Sequence, residues 1–352
     1  MSAVGNEIKK LGLMKAYEFL DRNPEANLPK LLDWFDTYAP KDVLSVQRDV
    51  IRDIVTRKDG NWYNLLISLW SDIDDDVRKT IFENMLINAN ALAAPQANEN
   101  REKYGCNIPW VIALNINGSG DSRYLDFDEW DDVIEQAKAL GTFMFFIEGE
   151  EPLKYPEEII ALCNKHYECE FLMFTDGMGI TEEFADEMLR VKNLIVAVEV
   201  SGTPEDQKLV ETAGILHRKK LPYCVSCTYD EESQNRFDRE DFFDKMIENG
   251  VKLCLFFSAA PAGKDRVYDR IVKYRKQKPI MTINFCKDST ITGGCVAGGR
   301  YYCSISATGD VEACFFYREF DSNVREKSLV ECLQSPLFMK FHDKNVQCVL
   351  NR

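Results

Sequence analysis

Two sets of residues in this 352-residue chain could do chemistry, a group of cysteines and a group of carboxylates. Twelve cysteines are present. Two of them, Cys295 and Cys314, sit where glycine-rich turns and a hairpin allow close approach: Gly293-Gly294-Cys295-Val296-Ala297-Gly298-Gly299-Arg300 and Gly309-Asp310-Val311-Glu312-Ala313-Cys314. Glycine permits backbone N–H groups to approach a sulfur-bound metal, and thiolates are ligands for iron–sulfur clusters or zinc. The carboxylates fall at the ends of apolar runs, in Glu148-Gly149-Glu150-Glu151-Pro152, Thr175-Asp176-Gly177 and Glu199-Val200-Ser201-Gly202. Like charges gathered within a few ångströms raise one another's pKa or recruit a cation, so a converging set would suit a divalent metal, a cationic group or acid–base work.

The elements that must position these groups follow from the apolar rhythm. Residues 1–105 show apolar residues three and four apart, as in Leu31, Trp34, Phe35 and Tyr38 and in Leu65, Leu66, Leu69 and Trp70. That spacing predicts helices, broken at Asn23-Pro24 and Asp59-Gly60, with the polar, alanine-rich 91–100 expected as a linker. From Trp110 the pattern becomes short apolar runs (110–116, 142–147, 170–175, 194–200, 223–228, 252–258, 280–285) alternating with amphipathic stretches (127–140, 156–166, 182–191). Strands apolar on both faces and separated by helices predict a parallel sheet buried on both sides, in six or seven β/α units. Beyond 285 come a glycine-rich turn, a hairpin of 301–307 with 311–316, and short helices near 328–334 and 336–342. The expected organisation is a helical region (1–105), a β/α domain (106–285) and a small extension (286–352).

Bulk properties narrow the function. Net charge is -15, with apolar residues at 45% and charged residues at 29%. Lys and Arg are concentrated nowhere, which argues against nucleic-acid binding. No apolar run approaches the length of a membrane span, and the N-terminus lacks an apolar core with a cleavage site, so a cytoplasmic location is expected. Reduced thiols follow from that compartment, leaving the cysteines as core residues or metal ligands.

From about Asn107 to Cys348 the chain resembles radical SAM proteins that carry a SPASM or Twitch extension. Gly149-Glu150-Glu151-Pro152 resembles the family's GGEP, Thr175-Asp176-Gly177 its TNG, and Glu199-Val200-Ser201-Gly202 its Ser-x-Glu-Gly with the polar types exchanged. Glu183 to Asn193 also looks nearly like the family's own segment. The resemblance implies a partial (β/α)6-type barrel, with its site at the strand ends. It also exposes an absence. Pro109 to Gly120, where the family places the C-x3-C-x2-C loop that binds the catalytic cluster and AdoMet, holds no cysteine, and Cys106 precedes the strand. AdoMet is therefore not expected. The residues expected at the mouth are Asn115, Asn117, Glu148, Glu150, Glu151, Asp176, Glu199, Ser201 and, if the strand register allows, Cys227. The resemblance further implies an auxiliary iron–sulfur cluster, or zinc, at Cys295, Cys314 and Cys348, with Cys286 as the fourth ligand. Cys163, His166, Cys169, Cys224 and Cys254 are expected to be packing residues.

Three readings stay open at this level. The first is a non-catalytic radical SAM-like protein that partners an active radical SAM enzyme or binds a peptide or small substrate. The second is an enzyme using the mouth carboxylates with a metal or as acid and base. The third is a redox protein using only the C-terminal cluster.

Overall fold

The structure is a computed structural model and describes residues 3–38, 45–118, 121–202, 206–258, 265–314 and 316–342. Ten strands form one sheet: β1 Val111–Asn115, β2 Met144–Glu148, β3 Glu170–Thr175, β4 Leu194–Glu199, β5 Tyr223–Tyr229, β6 Leu253–Ser258, β7 Met281–Asn284, β8 Tyr302–Ile305, β9 Asp310–Glu312 and β10 Phe320–Asn323. Their order is β10-β9-β8-β1-β2-β3-β4-β5-β6-β7. β1 to β7 pair in parallel, each with the next, and the helices between them cover the outer face. This is the expected α/β class with an open, partial (β/α) barrel, a helical N-terminal region and a small C-terminal extension. The extension is part of the sheet. β8 pairs in parallel with β1, and β9 and β10 add antiparallel strands at that edge.

Local signals set the helix bounds. The helix Phe127–Leu140 starts at a capping box in which Asp126 and Glu129 exchange hydrogen bonds with each other's backbone N–H, and ends at Gly141 with φ of 104°. Both devices satisfy backbone groups that a helix end leaves orphaned. The short helices at Leu329–Leu333 and Pro336–Met339 lie where the sequence puts them.

The stretch 91–100 differs from expectation. It is helical, running from a π-helix (Phe82–Leu92) into the α-helix Ala93–Tyr104. Its polar residues are used in docking rather than as a tether: Gln96 and Asn100 donate side-chain hydrogen bonds to the carbonyls of Lys138, Ala139 and Leu140 at the end of the first barrel helix. Polarity was read as exposure, whereas these amides satisfy another helix's terminal carbonyls.

The N-terminal helices have a small core of their own around Leu20, Leu28 and Val55. They sit against the N-terminal ends of the barrel strands. Asn84 donates to the carbonyls of Tyr167 and Cys169 just before β3, and Asn88 to that of Glu168. Asn61 reaches the carbonyls of Arg275 and Lys278 before β7, and Asp72 pairs with Lys252 before β6. Asn84 is almost fully buried, so removing its amide takes a donor from two carbonyls, of which that of Cys169 keeps the Asn193 amide. Asn84→Ala should destabilise the chain by about 2–3 kcal/mol in urea unfolding; a loss below about 0.5 kcal/mol would mean that the amide does not anchor this region to the barrel.

Candidate functional site

Strand parity decides which side chains face the lumen, because successive residues of a strand alternate between faces. Asn115 of β1 pairs with Glu148 of β2, and Ala113 with Phe146. Phe146 meets Phe174 of β3, which meets Phe257 of β6. Phe285, just after β7, contacts Phe146 and stacks on Phe257 with centroids 4.9 Å apart. Phe316 from the extension closes on Phe257. The lumen near the C-terminal strand ends is therefore filled by a connected group of phenylalanine rings.

The loop after β1 is pinned to the loop after β2. Asn117 donates to Asn115 Oδ1 at 3.0 Å and accepts from the backbone N–H of Glu150 at 2.9 Å, tying the first loop to the second. Gly149, at φ of 156°, fits under that tie: a Cβ there would lie 2.5 Å from the carbonyl oxygen of Ile116. At Gly118 a Cβ would meet the Tyr155 ring at 2.3 Å, so this ring lies directly on the backbone of the loop.

The expected acidic residues do not converge on one point. Glu150 is exposed and forms an i,i+4 pair with Lys154 at 3.2 Å. Glu151 turns inward to hold the next loop, accepting from Thr175 Oγ1 and from the N–H groups of Leu153 and Asp176. Asp176 closes its own turn by accepting from the N–H of Met178 and lies 3.7 Å from Lys208. Glu199 is exposed at the end of β4, and Ser201 binds Asp206 through its N–H and hydroxyl. Only Glu148 joins a partly buried charged group. Its partners are Glu312 of β9 and Arg318, neither of which the strand-end motifs contain.

Glu312 is 4% exposed and accepts from Ser304 Oγ at 2.9 Å. Arg318 lies between the two carboxylates, 3.6 Å from Glu312 and 3.8 Å from Glu148. Both distances exceed hydrogen-bond range, and Glu148 Oε1 is buried without a hydrogen bond. Burial raises the pKa of both groups. Arg318 and Asn115 pull Glu148 back down while the Glu312 charge adds to the rise; Ser304 and Arg318 pull Glu312 down. The hairpin alternation Val311-Glu312-Ala313 was visible in the sequence. That its polar member faces the lumen depends on the β8–β1 pairing, which the sequence does not reveal.

Cys227 requires a correction. It pairs with Phe256, whose ring packs on Phe242 and Phe243 of the helix Glu240–Glu248, so Cys227 faces the helical layer. The lumen-facing set on β5 is Cys224, Ser226 and Thr228, the last paired with Phe257. The strand's parity could not be set from the sequence, since both of its faces are apolar. Burial raises the Cys227 thiol well above its ordinary value, so it is a poor thiolate donor.

The C-terminal cysteines do come together. Cys286, Cys295 and Cys314 line one cavity of about 20 Å³ with Tyr302 and Phe341 among its walls. The Tyr302 hydroxyl lies 3.0 Å from Cys314 Sγ, and Gly298 N–H bonds to the Ala313 carbonyl, joining the two glycine-rich segments. Cys348 falls outside the described residues. Thiolates are ligands for a thiophilic metal, but among the described residues the three sulfurs do not all fall within 4.8 Å of one another.

No family model matches the sequence, and no curated protein does. Solved structures do match. Streptococcus suis SuiB is 14% identical, covering 71% of each chain at a TM-score of 0.55. SuiB bound to the precursor peptide SuiA gives 0.53 at the same identity, covering 71% of this chain and 70% of that one. Native anSMEcpe with AdoMet and the Cp18Cys peptide gives 0.50 at 14% identity, covering 66% and 82%. The chain shares the partial (β/α) barrel fold of these structures. At these identities the likeness is one of fold.

The Glu148–Glu312 pair makes a pH prediction. Native pKa values above the ordinary glutamate value near 4.5 mean that the folded state keeps protons the unfolded chain has released. The contribution of these groups to stability is thus full below about pH 4.5 and is lost as pH rises through the native values. Urea midpoints measured from pH 4 to pH 8 should fall less steeply in Glu148→Gln/Glu312→Gln than in the wild type. Parallel profiles would show that neither group titrates abnormally.

Proposed function

We propose that this chain is a non-catalytic radical SAM-like protein whose barrel serves as a binding scaffold for a protein partner, an active radical SAM enzyme in the first instance, or for a peptide. One observation carries the reading. The loop after β1, where the fold's catalysts hold their cluster, has no cysteine from Pro109 to Gly120 and is locked down by Asn117 and Tyr155 against a lumen filled with phenylalanine rings. A cofactor at that place would have to find new ligands. The lumenal charge points the same way: Arg318 of this chain itself sits between Glu148 and Glu312, where a substrate's cation would otherwise go. Peptide binding is supported by two neighbours of the same fold whose structures contain peptides, SuiB with SuiA and anSMEcpe with Cp18Cys.

Cys286, Cys295 and Cys314 would hold a thiophilic metal beside this scaffold, with Cys348 as a further donor. An iron–sulfur cluster there would supply electron transfer, and zinc would supply rigidity. The acid–base reading keeps one support, the raised pair Glu148 and Glu312, and predicts an activity lost in Glu148→Gln.

Two measurements test the proposal. Calorimetric titration with AdoMet should give no binding heat, and affinity purification from the native host should recover a stoichiometric protein partner; AdoMet binding, or a chain that stays alone at native concentration, would sink it. Anaerobic purification with iron, sulfide and zinc analysis should find one thiolate-held metal site, abolished in Cys295→Ser/Cys314→Ser. Metal content unchanged in that variant would remove the cysteines from the account.

A further inference from the structure

At the opposite end of the barrel, on the outer face, a second group of side chains is arranged for a different ligand. The helix Phe127–Leu140 places Asp131 and Glu135 one turn apart on one face. His166 caps the end of the next barrel helix, Pro156–Lys165, and points between them. Its Nε2 lies 3.1 Å from Asp131 Oδ1 and its Nδ1 lies 3.5 Å from Glu135 Oε1. One donor atom from each of the three residues falls within 4.8 Å of the others.

These contacts are close but are not hydrogen bonds. His166 is fully buried, and neither of its ring nitrogens has a hydrogen-bond partner; Asp131 Oδ1 is buried and lacks one too. His166 Nε2 and Asp131 Oδ1 face each other unsatisfied, and Nδ1 is unsatisfied on the Glu135 side of the ring; buried polar atoms without partners are unusual in a folded protein and call for a water or an ion, which would take one of the two ring nitrogens. We propose that Asp131, Glu135 and His166 bind a divalent transition-metal ion, zinc being the best fit, that joins the first barrel helix to the end of the second.

The donor set selects the ion class. One imidazole nitrogen with two carboxylates suits zinc or a similar transition metal, whereas magnesium and calcium favour all-oxygen shells. The surrounding charge is compatible. Lys165 pairs with the other Asp131 oxygen at 2.8 Å, and Lys138 bridges Glu135 and Glu168 at 2.7 and 2.6 Å. Three carboxylates against two ammonium groups leave a net charge of about -1 beside a neutral imidazole, which attracts a dication. Burial and the Lys138 charge both lower the His166 pKa, favouring the neutral ring that a metal requires. Glu135 is half-exposed, so an ion can enter from solvent and keep a water in its fourth position.

The site is separate from the C-terminal cysteines, and the test distinguishes the two. The full-length chain, stripped with chelator, is titrated with cobalt(II) and with zinc in the wild type and in Cys295→Ser/Cys314→Ser. The cysteine variant should still bind one equivalent, without the near-ultraviolet charge-transfer band of a thiolate–cobalt bond, and X-ray absorption should place only nitrogen and oxygen at about 2.0–2.1 Å from zinc. Glu135→Gln, a change at a half-exposed position, should weaken this binding at least about tenfold, and His166→Gln should abolish it. Should the buried histidine variant fail to fold, Asp131→Asn/Glu135→Gln gives the same reading from partly exposed positions. Affinity and stoichiometry unchanged in Glu135→Gln and in the double variant, or zinc ligated by sulfur alone, would overturn the proposal.

Discussion

The parallel pairing of β8 with β1 is the contact on which the rest of this molecule depends. It registers Tyr302 to Ile305 against Val111 to Leu114 and so builds the C-terminal extension into the barrel sheet. Ser304 is thereby set beside Ala113 on one side and Glu312 on the other, which delivers a buried carboxylate to the lumen opposite Glu148. The same pairing brings the hairpin's Cys314 and Tyr302 to the pocket that Cys286 and Cys295 share. An extension held only by a tether could do neither, because a buried carboxylate must arrive with its hydrogen-bond donor in place.

The barrel's interior has been given to packing where this fold can host a ligand. Aromatic side chains bury large apolar areas and pack edge to face, so a connected group of rings is a stabilising fill as well as an obstruction. Phe146, Phe174, Phe257 and Phe285 come from four separate strands or strand ends, and Phe316 from the extension. The first loop is tied by Asn117 to Glu150 and covered at Gly118 by the Tyr155 ring.

The residues that looked alike in the sequence have separate physical roles. Glu150 and Asp176 neighbour lysines at the surface, where ion pairs contribute little. Glu151 is a structural acceptor for three donors, a role its place in the GGEP-like motif did not suggest. Glu148 alone is held in a partly buried charged group, and the cation beside it comes from 170 residues further along the chain. His166, read as a packing residue from its position at a helix–strand junction, is buried as expected but without the hydrogen bonds that make such a histidine ordinary.

The sequence by itself determined the β/α alternation, the helix bounds set by caps and glycines, the missing cysteines after β1 and the candidate thiol set at the C-terminus. Each of these is written in local periodicity or in residue type, which the chain carries wherever it folds. Tertiary structure alone decided which face each strand turns to the lumen, that Cys224 rather than Cys227 faces inward, that residues 91–100 dock as helix, and that Glu312 and Arg318 join Glu148. Strands apolar on both sides leave no periodic mark of their inner face, and a contact between residues more than a hundred positions apart depends on register between strands. Pairing across the sheet supplies that register, and with it the site.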